Sequence, residues 1–282
     1  MLKREILLAL FSIFILLLCT FSFGAFYKFP EEEGSKNSEA SLSVMSYNVR
    51  LFNKYKWIDR PKVGENIVGF IEENSPAILS IQEHNRDWNH YFDGYSFKAE
   101  TPHNTERSVQ VIFSKFPILN KGSLNPEGTS NNTIFADILF RGDTIRVYNV
   151  HLQSFAVVPE VNSLQQEKSG RLLKRIGRGI QKQKEQAQLL VEHLKNTSYP
   201  VVITGDFNNT QFSSIYKVLK ADFQDTFYES GSGFGRSYTL FNVPMRIDYI
   251  LVDDTFEVLE HQNYDVKFSD HYPIKAKLRL KE

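Results

Sequence analysis

The chain has 282 residues, 41% of them hydrophobic, with 33 basic and 33 acidic side chains. That is enough for one sizeable core, and the balanced charge excludes a global basic field for nonspecific nucleic-acid binding. The single cysteine, Cys19, excludes disulfides and leaves the rest of the chain without a thiol nucleophile or a cysteine-based zinc site.

Lys3 and Arg4 precede an apolar run from Ile6 to Tyr27, broken only by Ser12, Thr20 and Ser22. Spanning a bilayer takes about 20 apolar residues, so residues 1–30 read as an uncleaved membrane anchor. The basic pair before the run and Glu31, Glu32 and Glu33 after it orient the remainder out of the cytoplasm, on the periplasmic side of a bacterial inner membrane. Cleavage near Gly24 or Ala25, giving a secreted protein, is the rival reading. Leu18 before Cys19 argues against a lipoprotein signal. Residues 31–41 read as a flexible tether, and 42–282 as one folded domain without an internal repeat.

Ser43 to Arg50 reads as a buried strand. Val63, Ile67, Phe70 and Ile71 fall at helical spacing, closed by Asn74-Ser75-Pro76, and Ala77 to Ile81 is a second strand ending in Gln82-Glu83. Val109 to Phe113 is a third. Thr133 to Phe140 and Thr144 to Leu152 flank Arg141-Gly142-Asp143, a hairpin signal. Gln165 to Asn196 is polar, with Ala187, Leu190, Val191 and Leu194 on one helical face. Val201 to Thr204, Arg246 to Val252 and Ile274 to Leu280 complete the strands. Strands with a few helices between them point to a layered α/β sandwich.

Polar residues recur where these strands end. Asn48 and Glu83 end two of them, Asn149 and His151 a third; Asp206 and Asn208 follow a fourth, Asp248 sits in a fifth and Asp270-His271 precedes a sixth. Singly, each has a plain reading as a turn, cap or solvated loop residue. Together they mark one shared edge, where burying carboxylates is costly unless a divalent cation compensates.

Ser46-Tyr47-Asn48, Ile81-Gln82-Glu83, Asn149-Val150-His151-Leu152, Gly205-Asp206-Phe207-Asn208, Arg246-Ile247-Asp248-Tyr249 and Ser269-Asp270-His271 occur in the order and spacing of one family. From Leu42 onward the chain resembles the endonuclease/exonuclease/phosphatase superfamily. Tyr47 to Asn53 resembles its membrane-associated bacterial branch. The resemblance implies a four-layer α/β/β/α sandwich of two mostly antiparallel sheets flanked by helices. It further implies a metal-dependent phosphoric ester hydrolase using Mg²⁺ or Mn²⁺, held by Glu83 with Asn48 and Asp270. Asp248 would orient His271, Asp206 and Asn208 would position or deprotonate water, and His151 would donate to a phosphoryl oxygen.

The leaving group stays open. Lys168, Arg171, Lys174, Arg175, Arg178, Lys182 and Lys184 form a basic cluster that is either a solvated helix face or a contact for phosphates. The Gly231 to Gly235 stretch with Phe234, before Arg236 and Tyr238, reads as a loop at the cleft mouth or a plain surface loop. The leading expectation is a nuclease-like phosphodiesterase. A lipid phosphodiesterase or inositol-phosphate-type phosphatase is the alternative, and a non-catalytic membrane-tethered binding module a further one. The expected partners are a nucleic acid, phospholipid or inositol phosphate substrate and the membrane through the N-terminal helix. No protein partner is expected, and the chain is read as a monomer.

Overall fold

The computed structural model describes residues 2–23, 27–30, 41–103, 108–155 and 169–281. Two six-stranded sheets carry the fold. The first is built from β1 (Leu42–Asn48), β2 (Ile78–Gln82), β3 (Phe97–Glu100), β4 (Val111–Ser114), β13 (Phe256–Asn263) and β14 (Ile274–Leu280), in the order β13-β14-β1-β2-β4-β3. The second contains β5 (Ile118–Ser123), β6 (Thr133–Phe140), β7 (Asp143–His151), β8 (Val201–Asp206), β9 (Gln224–Asp225) and β12 (Asp248–Val252), ordered β5-β6-β7-β8-β12-β9. A separate two-stranded sheet, β10 (Tyr238–Leu240) with β11 (Val243–Met245), stands apart.

Alternation along the strands sorts side chains between the layers. Val44, Ile78 and Ile112 meet Ile134, Val147, Val202 and Ile250 between the sheets. The residues of opposite parity, Met45, Tyr47, Leu79 and Ile81, face outward onto Val63, Ile67, Phe70 and Ile71 of α2 (Val63–Asn74). On the other side, Tyr148, Val150 and Ile203 lie under Ala187 and Leu190 of α3 (Ser169–Leu194) and Ile215 and Leu219 of α4 (Ser214–Lys220). A short α5 (Thr226–Ser230) precedes β10. The result is the mixed α/β sandwich expected, two sheets flanked by helices.

Most pairings are antiparallel; β1–β2 and β7–β8 are parallel. The β6–β7 hairpin turns on Arg141 and Gly142, both at positive φ, as a two-residue connection with this twist requires. The inter-sheet core becomes polar toward one end and is stitched by hydrogen bonds. Asn149 Nδ2 donates to the carbonyls of Ile81 and Val111, both at 2.9 Å, and its Oδ1 accepts from Gln82 Nε2 at 2.7 Å. Thr204 Oγ1 donates to Ser80 Oγ across the sheets at 2.7 Å.

The N-terminal run is helical, α1 covering Leu2–Phe23. The membrane anchor and the extracytoplasmic placement built on it are nevertheless overturned. Among the described residues no helix is long and apolar enough to cross a membrane. Lys3, Arg4 and Glu5 occupy the first turn, and the described apolar side chains run from Ile6 to Leu18. Residues 31–40 of the expected tether lie outside the described residues, as does Lys168.

Two buried histidines make stability pH-dependent. Burial holds His84 and His261 down at about 4. His261 Nδ1 sits 2.8 Å from Thr226 Oγ1, and Asp225 pulls against the burial while Arg246 adds to it. Because the folded values lie below the unfolded one, the unfolded chain takes up protons first as pH falls. Stability from these groups is therefore present at pH 7 and lost between about 6.5 and 4. Chemical denaturation at pH 7 and 4.5 should show the wild type losing about 2 kcal/mol more than His261→Gln; equal losses would refute the assignment.

Candidate active site

The two parallel pairs determine where the site forms. Parallel strands end at the same edge, so Asn48 lies beside Gln82 in one sheet and His151 beside Asp206 in the other. Glu83 follows β2 at φ +49°, which turns the chain away from the strand. Antiparallel pairing sets Asp248 opposite Asp206. His271, just before β14, bridges to Tyr238 on β10. Gly205 permits the close approach of β7 and β8. Its φ is +131°, and a Cβ there would lie 2.0 Å from the carbonyl oxygen of Val150.

These elements surround a cleft of about 540 Å³ lined by Glu83, His151, Asp206, Asn208, Asp270 and His271. Asp248 stands behind it. Asp248 Oδ2 holds His271 Nδ1 at 2.9 Å, while Ser237 Oγ, accepting from the backbone N–H groups of Ile247 and Asp248, secures the strand start. His271 Nε2 and His151 Nε2 lie 3.6 and 3.7 Å from Asp206 Oδ2. Asn48 Nδ2 donates to Asp206 Oδ2 at 3.1 Å and reaches Glu83 Oε1 at 3.4 Å, while its Oδ1 accepts from the backbone N–H of Arg50. Asn208 donates its backbone N–H to Asp206 Oδ1 and its side chain to the carbonyl of Leu152.

The protonation states follow from this packing. Burial alone would discharge His271, but the carboxylates of Asp248 and Asp206 hold it well above the ordinary imidazole range. Burial lowers His151, with the His271 charge adding to it against the pull of Asp206. Burial also raises Asp206, assisted by Asp248 and opposed by His271. Glu83 is raised mainly by burial, with Asp270 adding to it. A cationic His271, a neutral His151 and a carboxylate with raised basicity thus share one cleft.

All eight residues to which the resemblance assigns a role stand in or directly against this cleft. Asn48 differs in orientation from a metal ligand, since its nitrogen, not its oxygen, faces the carboxylates. Asn149, equally prominent in its motif, turns inward as the brace between the sheets. Arg50 escaped notice; its guanidinium pairs with Asp270 at 3.2 Å and lies 4.4 Å from the Trp57 ring. Tyr238 lines the cleft with its ring 4.9 Å from that of His271, whereas Phe234 and Gly235 line a different pocket. Phe155, Leu240, Met245 and Ile247 supply an apolar wall. The strand-end pattern exposed only the polar half, since an apolar cleft residue looks like any core residue.

The donor set fits a hard divalent cation. Glu83, Asp206 and Asp270 bring carboxylate oxygens to one cleft, and the raised values at Glu83 and Asp206 record first the cost of burying them and then the neighbouring carboxylates, both of which such an ion offsets. Asp206, Asp248 and His271 also place one ligand atom each within 4.8 Å of one another. His271 and Asp248 are already engaged with each other, however, so the outward carboxylates are the better donors.

Replacing Gly205 with alanine forces the Cβ onto the Val150 carbonyl, so β8 must move and Asp206 with it. Gly205→Ala should cost about 3 kcal/mol or more, read as a lowered thermal midpoint. An unchanged midpoint would show that β7 and β8 tolerate separation.

Residues 45–271 match the model of the endonuclease/exonuclease/phosphatase family. A search of curated protein sequences gave no match. Among solved structures, an endonuclease/exonuclease/phosphatase from Bacteroides vulgatus is 17% identical and superposes with a TM-score of 0.66, over 86% of this chain and 100% of that one. A mannosyl-6-phosphatase from Bacteroides thetaiotaomicron is 18% identical, with a TM-score of 0.62 over 84% and 99%. TDP2 from D. rerio, solved with single-strand DNA product, is 15% identical, with a TM-score of 0.64 over 86% and 100%. At such identities these likenesses establish the fold, and the family match covers most of the chain: the protein belongs to the endonuclease/exonuclease/phosphatase family.

Proposed function

We propose that residues 42–282 form a divalent-metal-dependent phosphoesterase that hydrolyses a phosphodiester by in-line attack of water. The observation that carries this reading is the convergence of Glu83, His151, Asp206 and His271 on one cleft, with Asp248 at hydrogen-bond distance behind His271. Glu83 and Asp270 would hold Mg²⁺ or Mn²⁺, which when bound neutralises charge on the phosphoryl oxygens and the leaving group.

The chain's own groups divide the remaining work. His271, kept cationic by its two carboxylates, cannot act as a base, so its Nε2–H donates to a non-bridging phosphoryl oxygen as negative charge builds there. Asp206, pushed up by burial, accepts the proton of the attacking water. Asn208 and Asn48 hold its two oxygens in place. His151, neutral, offers a second donor from Nε2. No covalent intermediate is needed, and the chain supplies no thiol nucleophile for one beyond Cys19.

The test is hydrolysis of bis-p-nitrophenyl phosphate, DNA, RNA, sphingomyelin and mannose 6-phosphate, each with Mg²⁺ and with chelator. Metal-dependent cleavage of diesters over monoesters is expected, and monoester preference would replace the diesterase reading with a phosphatase one. His271→Ala and Asp206→Asn should each lower turnover by about 10²- to 10⁴-fold with circular dichroism unchanged. Near-wild-type rates in either variant would overturn the assigned roles.

A further inference from the structure

We infer that the loop from Lys54 to Lys62, beside the cleft, is a docking platform for single-stranded nucleic acid; this rests on the phosphodiesterase reading and names its substrate class. Lys54-Tyr55-Lys56-Trp57 alternates cation and aromatic residue by residue, followed by Arg60 and Lys62. Tyr55 and Trp57 are 66% and 42% exposed, large values for aromatic side chains of a folded domain. Their rings meet edge to face at 5.0 Å. The four cations are exposed and make no ion pair among the described residues, and Asp59 is the one acid in the segment.

The loop is presented rigidly. Arg50 to Asn53 are all left-handed, a conformation costing about 1–2 kcal/mol per residue. It is held by Phe52 stacked on Trp88 at 4.9 Å and by Asn53, whose side chain exchanges two hydrogen bonds with the backbone of Ile58. Such strain persists where the surroundings over-determine it, which makes the loop a built feature.

The loop is also continuous with the chemistry. Arg50 lies against Trp57 on one side and pairs with Asp270, next to His271, on the other. An anionic polymer leaving the cleft meets this loop first. Across the sandwich, Phe155 of the cleft wall lies against Gly179 of α3, a helix that carries the exposed Arg171, Lys174 and Arg178. A neutral chain that sets an acid-poor cationic loop beside the cleft complements a strand leaving it.

Charge alone fits any polyanion. Exposed aromatics between the cations select a strand whose bases are free to stack while its phosphates meet the lysines, since every base offers a π-face and a duplex hides it.

The experiment is fluorescence anisotropy of the full chain in chelator, where no cleavage occurs. The probes are a labelled 12-mer single-stranded DNA, its duplex, inorganic polyphosphate and anionic vesicles of phosphatidylcholine and phosphatidylserine. Expected are preference for the single strand, about tenfold or more weaker binding by Tyr55→Ala, and a salt slope shallower by about 0.7 for each lysine replaced in Lys54→Gln/Lys56→Gln. Tyr55 is exposed enough that its removal leaves the core intact. Wild-type affinity in these variants, equal affinity for polyphosphate, or vesicle binding without single-strand binding would each overturn the proposal. Hydrolysis of bis-p-nitrophenyl phosphate by the same preparation separates the two readings: its absence beside single-strand binding refutes the enzyme and leaves the platform, and its presence without such binding does the reverse.

Discussion

Parallel pairing at two places is the constraint on which the rest depends. In sheets otherwise antiparallel, β1 runs beside β2 and β7 beside β8 in the same direction. A parallel pair cannot be closed by a hairpin and needs a crossover, here through α2 and α3, which must lie on the outer faces. The same pairing that dictates the outer helical layers therefore brings four strand ends to one edge of the sandwich. Asn48, Glu83, His151 and Asp206 meet there because their strands stop there. Asn149 and Gln82, hydrogen-bonded between the sheets, keep the two edges in register.

Concentrating charge at such an edge is expensive, and the molecule offsets that cost by pairing. Asp206 is almost fully buried and is approached by two histidines and two asparagines. Asp248 gives one oxygen to His271, while its Oδ1 finds no hydrogen-bond partner among the described residues. Two residues before Asp248, Arg246 is buried in a cage of Tyr216, Phe227, Tyr228 and Tyr249 with Asp225 as counter-ion at 2.6 Å. A cation fixed by aromatic faces and one carboxylate anchors the start of β12, and with it the carboxylate that orients His271. The pairing is incomplete on the Glu83 side, where a third of the side chain remains open to the cleft and no lysine or arginine among the described residues forms an ion pair with it. That asymmetry is why the metal reading falls on Glu83 and not on the Asp248–His271 pair.

How much of this was legible depended on periodicity. The central strands and α2 announced themselves, because buried runs bounded by Asn, Gly and Pro have few other solutions. The edge strands β3, β5 and β9 and the β10–β11 hairpin did not. Their residues are half-exposed or too few for alternation to register, and β13 carries a bulge between Val258 and Glu260 that breaks its period. The polar half of the site was readable from strand ends and motif order. Its apolar half was not, since Met245 or Ile247 has the same signature in a cleft as in a core. The N-terminal run failed differently: composition suggested a span, and among the described residues no helix is long and apolar enough to cross a membrane.

Net charge misleads for a related reason. Equal numbers of acids and bases argue against a nucleic-acid field only if charge is spread evenly, and folding does not spread it so. The acids that matter sit at the bottom of the cleft, neutralised by His271 and crowded enough to favour a cation. The bases, by contrast, gather in two acid-poor stretches on opposite faces of the sandwich, the loop after β1 and the first half of α3. Over a Debye length of about 8 Å at physiological salt, a phosphate approaching either stretch meets the local surplus and is barely affected by the distant balance. A chain with zero net charge can therefore present a directional path to an anion, attractive at the loop beside the cleft and demanding a divalent ion at its centre.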